Sequence, residues 1–93
     1  MEIELMEESK KRIDAMSEAN EMVIGVDIKV KVLVKKDEFP RDCLVEVMKF
    51  VEDLNIIDDY DDYYFTISYM DSDIEDVNKM YLYYVVKIVE ILN

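Results

Sequence analysis

The chain has 93 residues and 52% apolar content, enough for one hydrophobic core and too much for a disordered chain. Its formal net charge of −12 exceeds the magnitude of about 2–8 usual for a small soluble domain. Direct binding to DNA, RNA or an anionic bilayer would work against that field. The chain contains no His, one Cys (Cys43), one Gly (Gly25) and one Pro (Pro40). These counts exclude imidazole acid–base chemistry, Ser–His and Cys–His nucleophile pairs, an intrachain disulfide and a Gly-rich phosphate loop.

Residues 1–8 have no basic lead and no long apolar run, so a signal or transit peptide is not expected. No stretch approaches the roughly 18 apolar residues of a membrane span, and the expected location is the cytoplasm. Where turn-forming Gly and Pro are this scarce, long regular elements with short connections are expected, within a single domain over 1–93.

Residues 2–20 carry Ile3, Met6, Ile13, Met16 and Ala19 at helical spacing. Glu7–Lys11 and Glu8–Arg12 stand at i,i+4 in the favourable orientation. A helix is predicted, firmest from Glu7 onward. Alternation of Met1, Ile3 and Leu5 with Glu2 and Glu4 leaves a short strand as the competing reading of the first five residues. Residues 22–35 alternate more clearly: Val26, Ile28, Val30, Val32 and Val34 against Asp27, Lys29 and Lys31. This predicts a strand with one buried and one wet face, and Gly25 marks a bulge or a close backbone approach.

Pro40 is placed to open a helix over 41–54, with Leu44, Val47, Met48, Val51 and Leu54 as its apolar stripe. Cys43 lies in that pattern and reads as a small buried hydrophobe. A loop over 55–62 follows. Tyr63, Phe65, Ile67 and Tyr69 then alternate with polar residues as a second strand. Ser72 with Glu75 three residues later reads as a capping box ahead of a final helix over 73–92. Its β-branched and aromatic content keeps a strand reading open there.

The order expected is α-β-α-β-α, an α+β domain with helices on one face of a short sheet. Two strands make a poor sheet. Three remedies are available: a strand at Met1–Leu5, a bend dividing 21–36 into two strands, or a homodimer. The dimer would form through the strand edge at 22–35 or the apolar helix at 73–92.

Acidity is uneven along the chain. The first 46 residues hold 12 acidic and 8 basic side chains, the remainder 11 and 3, and all seven tyrosines fall in that second part. Asp58, Asp59, Tyr60, Asp61, Asp62, Tyr63 and Tyr64 form one candidate partner-binding cluster, and Asp71, Asp73, Glu75 and Asp76 a second. Carboxylates two apart on a strand lie roughly 6–7 Å from each other, comparable to successive phosphates. Such a row can occupy a cleft built for nucleic acid, and interleaved tyrosines suit binding hot spots. The plainer reading is a solvated acidic face.

Asp71, Asp73 and Glu75 begin like an EF-hand loop, but Asp76 stands where the turn needs Gly and Leu82 where a closing Glu belongs. No metal or cofactor is expected. Asp27-Ile28-Lys29 is too short a match to support a nuclease signature, and strand alternation explains it.

The leading expectation is therefore a non-enzymatic acidic protein that inhibits or decoys a basic, nucleic-acid-binding protein. Anti-restriction, anti-CRISPR and nuclease-immunity proteins offer an analogy of size and charge. The alternative is an oligomerising structural module, and a carboxylate-based metal enzyme comes third.

Overall fold

A computed structural model describes residues 1–38, 43–56, 60–76 and 78–91, with the side chain of Tyr60 left out. The elements are β1 (Glu2–Leu5), α1 (Glu7–Glu18), β2 (Ile28–Lys35), α2 (Cys43–Asp53), a 3-10 turn (Tyr60–Asp62), β3 (Tyr63–Asp76) and β4 (Lys79–Glu90). The order is thus β-α-β-α-β-β. All strand pairs are antiparallel, and the sheet runs β1-β2-β4-β3.

The α+β class holds, whereas the expected α-β-α-β-α order does not. The largest correction is the final helix. Within that span, residues 73–76 instead end β3 and residues 79–90 are the whole of β4. Leu82, Tyr84, Val86 and Ile88 are buried while Tyr81, Tyr83, Val85 and Val89 are only half-buried, which is the period of a strand. Between Met80 and Val89, β4 is apolar on both faces but for Lys87, and that imitates an all-round apolar helix. The supposed capping box is strand: the Ser72 N–H donates to Asp71 Oδ1 at 2.8 Å. The chain reverses between the paired residues Asp76 and Lys79, where Asp76 Oδ1 accepts the Asn78 N–H at 2.6 Å. An Asx turn of this kind needs no Gly.

Met1–Leu5 takes the strand reading. Glu2 to Leu5 pair with Leu33 to Val30, which shortens the expected first helix to Glu7–Glu18. That helix closes on Asn20 (φ 59°), with Glu21 N–H to Met16 O at 2.8 Å and Asn20 N–H to Ser17 O at 3.1 Å. Both are Schellman bonds, with Asn supplying the left-handed residue. The expected strand at 22–35 begins only at Ile28. Ahead of it Gly25 takes φ 71° and donates its N–H to Ile88 O at 2.8 Å; a Cβ there would meet nothing within 4 Å, so the glycine serves the left-handed backbone and not the close approach expected.

The core is the helix-facing side of the sheet. Ile28, Val30, Val32 and Val34 of β2 lie beside Leu82, Tyr84, Val86 and Ile88 of β4, under Ile13, Val23, Cys43, Val47 and Val51. α2 is turned relative to expectation: Cys43 is buried, while Leu44 and Met48 are exposed with Val45. No described element covers the opposite face of the sheet. Among the described residues no helix is long and apolar enough to cross a membrane.

β2 has β1 on one side and β4 on the other, so it offers no edge for a second copy. The two routes expected for a homodimer, an open strand edge at 22–35 and an apolar helix at 73–92, thus lack the elements they were to use.

Candidate functional site

Every described member of the two acidic clusters lies on β3 or the 3-10 turn that feeds it. Asp58 and Asp59 lie outside the described residues. β3 is the last strand of the sheet, with β4 on one side and no described strand beyond it. Asp62 anchors the start, its carbonyl accepting the Ile91 N–H at 2.9 Å. Tyr63 then packs against the core and Tyr64 is exposed.

The far end is organised by register. Asp71 stands opposite Tyr83, Asp73 opposite Tyr81 and Asp76 opposite Lys79. Register shifts between Tyr69 and Asp71 and between Ile74 and Asp76 insert one extra residue each, Met70 and Glu75. Glu75 accepts a hydrogen bond from the Tyr81 hydroxyl, which raises the phenol above its ordinary range because ionisation would break that bond.

The strand places the clusters in line but does not bring them together. Asp62 and Asp71 are nine positions apart, on the order of 30 Å at about 3.3 Å per residue. Between them run Tyr63 to Met70, without a charged side chain. The site is therefore a line along one edge, acidic at both ends and neutral in its middle.

Charge compensation separates this edge from the uncovered sheet face. There Lys29 pairs with Glu8 at 3.7 Å, Lys35 with Glu2 at 3.9 Å and Lys87 with Asp27 at 3.4 Å. Lys31 sits 4.2 Å above the Tyr81 ring. Asp27 and Lys29 thus turn to different partners. By contrast, Asp62, Asp71, Asp73, Glu75 and Asp76 join no ion pair among the described residues. The contacts these acids do make are with uncharged donors: Asp71 accepts the Ser72 N–H, Asp76 the Asn78 N–H and Glu75 the Tyr81 hydroxyl.

Sequence reasoning missed the apolar part of this edge. Tyr69, Met70 and Ile74 are 59%, 46% and 71% exposed. Tyr69 meets buried Tyr84 edge-on, with ring centroids 6.0 Å apart, and Tyr84 in turn touches Cys43 at the start of α2. Burial first, and Cys43 second, push the Tyr84 phenol upward. Tyr63–Tyr69 reads as strand from its alternation, but its continuation to Ile74 is masked by Asp71, Ser72 and Asp73, which are poor strand formers.

Asp71–Glu75 is extended rather than coiled as a calcium loop must be, and no group of three or more His, Cys, Asp or Glu among the described residues is placed to hold a metal ion. An open groove of about 500 Å³ lies between α1 and the end of α2, lined in part by Leu5, Ile13, Val23 and Ile56. It gathers no catalytic constellation. No family model matches the chain, and neither a curated protein nor a solved structure matches it significantly.

Proposed function

We propose that this chain is an acidic binding protein that occupies the basic, nucleic-acid-binding surface of another protein, with β3 as its working edge. The observation that carries the reading is the contrast in compensation: lysines of the open face are held by nearby acids and an aromatic ring, while the β3 carboxylates join no described ion pair. Holding like charges in line on one strand costs stability, and a cationic partner would recover it. Alternating carboxylates such as Asp71 and Asp73, roughly 6–7 Å apart, suit groups arranged for phosphates. The reading is of a binder and not an enzyme, with the cytoplasm as its place of action. The lack of any His and the complete burial of Cys43 support it.

Affinity capture from the source cell at low and high salt tests the reading, using the native chain and one with the acids at 58, 59, 61, 62, 71, 73, 75 and 76 amidated. The expected result is a basic nucleic-acid-binding protein, lost at high salt and lost to the amidated chain, whose binding to DNA or RNA the native chain blocks. Capture indifferent to both changes would sink it. A second reading, an assembly module, draws on the exposed Leu44, Val45 and Met48 of α2. Concentration-dependent sedimentation abolished by charges at those positions would favour it instead.

A further inference from the structure

The outer edge of β3 is defended unevenly. An edge strand invites pairing with another chain, and proteins blunt it with charges, bulges or Pro. On β3 both bulges and four acids fall within Tyr69–Asp76, and Asp61 and Asp62 precede the strand. The stretch Thr66-Ile67-Ser68-Tyr69 has none of these devices: no charge, no Pro, no Gly, and regular register against Lys87 to Tyr84. Thr66, Ser68 and Tyr69 are exposed.

Ladder geometry decides which backbone groups face outward. The Ile91 N–H donates to Asp62 O, which makes that pair a hydrogen-bonded one. Residues alternate thereafter, so Thr66 and Ser68 bond towards β4, while Ile67 and Tyr69 turn their N–H and C=O away from it.

We infer that this stretch is a strand-addition site whose occupant is an extended segment of a partner protein, uncharged in its middle and bearing Lys or Arg at both ends. Main-chain bonds to Ile67 and Tyr69 supply the attachment, and Asp62 at one end with Asp71 and Asp73 at the other supply the charge selection. A second copy of this chain fits worse. Two β3 edges related by a twofold axis pair antiparallel, which brings the acidic start of each against the acidic end of the other. With −12 on each copy, that contact is repulsive at both of its ends. The inference rests on the reading above for the partner's charge only.

The test is amide hydrogen exchange on the intact chain with a synthetic probe: a capped ten-residue peptide alternating Val and Thr, with two Lys at each end. Two controls differ from it by Glu at the ends and by Pro at alternate central positions. The expected result is slower exchange at Ile67 and Tyr69 with the Lys peptide, about tenfold at ten times its Kd, and none with either control. Amidating Asp62, Asp71 and Asp73 should abolish the preference for Lys over Glu ends. Exchange unchanged at Ile67 and Tyr69, or slowed equally by the Glu peptide, overturns the inference. So does slowing with protein concentration alone, which would make the edge a homodimer seam. Neither of the first two outcomes touches the capture experiment, where a basic partner could still be held by side chains alone.

Discussion

The backbone N–H of Lys29 donates to Ser9 Oγ at 2.8 Å, joining β2 to α1 through a side chain only 4% exposed. Its cause lies in the β1–α1 junction. Met6 N–H bonds Lys29 O at 2.9 Å as the ladder requires, but Met6 O is already taken by the Lys10 N–H at 3.0 Å, which starts the helix. Lys29 N–H would be orphaned there, and Ser9 replaces the missing carbonyl. Ser9→Ala should therefore cost about 1–3 kcal/mol, the penalty for a buried donor left without a partner. Urea unfolding should show a lower midpoint with an unchanged slope. A loss under about 0.5 kcal/mol would mean that water reaches Lys29 N–H.

The correction of 73–92 from helix to strand has a direct mutational signature. In a helix Val85, Ile88 and Val89 would share a face; in β4, Val86 and Ile88 face the core at 0% exposure and Val85 and Val89 face the open side. Val86→Ala should cost about 2–3 kcal/mol and Ile88→Ala about 2–5 kcal/mol, a large share of a small domain's stability. Val85→Ala, one position away, should cost under about 1 kcal/mol. Thermal or urea midpoints for the three single variants decide it, and equal costs at 85 and 86 would contradict the strand.

The same residues explain what could be read beforehand. β2 was legible because its wet face carries Lys29, Lys31 and Lys35, which makes the period of two visible. β4 was not, because Tyr81, Tyr83, Val85 and Val89 are apolar on its open face too. Hydrophobic periodicity loses its contrast when both faces are apolar. α2 was found, yet its stripe was misplaced, since Cys43 carries less weight than Leu44 or Met48 in any apolar count. The acidic clusters were legible as composition. That they share one strand edge, some 30 Å apart in order of magnitude, depends on the fate of 73–92, and so was hidden with it.

Gly25 is fixed by conformation alone. Its φ is 71°, and a Cβ added there would meet nothing within 4 Å. Gly25→Ala should then cost about 1–2 kcal/mol from the left-handed backbone, and Gly25→Asn distinctly less, as Asn tolerates that region. Asn20, at φ 59°, supplies the opposite case. Asn20→Gly should leave stability unchanged or raise it by a few tenths of a kcal/mol. Chemical denaturation of the three variants checks the ranking, and an alanine at 25 as stable as glycine would contradict the assigned backbone.

Glu38 makes stability depend on acid. Its carboxylate pairs with the α-ammonium of Met1 and accepts the Lys35 N–H at 2.9 Å, tying the first strand to the turn that leaves β2. The ammonium, followed by the Lys35 N–H, holds the carboxyl below its ordinary range. A carboxylate with a lowered folded pKa stabilises the fold above its unfolded value and loses that contribution as pH falls through the folded one. Glu38→Gln should accordingly be less stable than the native chain at neutral pH. The gap should narrow through the carboxylate range, close in stronger acid, and shrink in high salt at neutral pH, since both groups lie near the surface. Thermal midpoints of the two chains across pH check this. A gap that persists in strong acid would assign the loss to the turn's packing and not to the charge of Glu38.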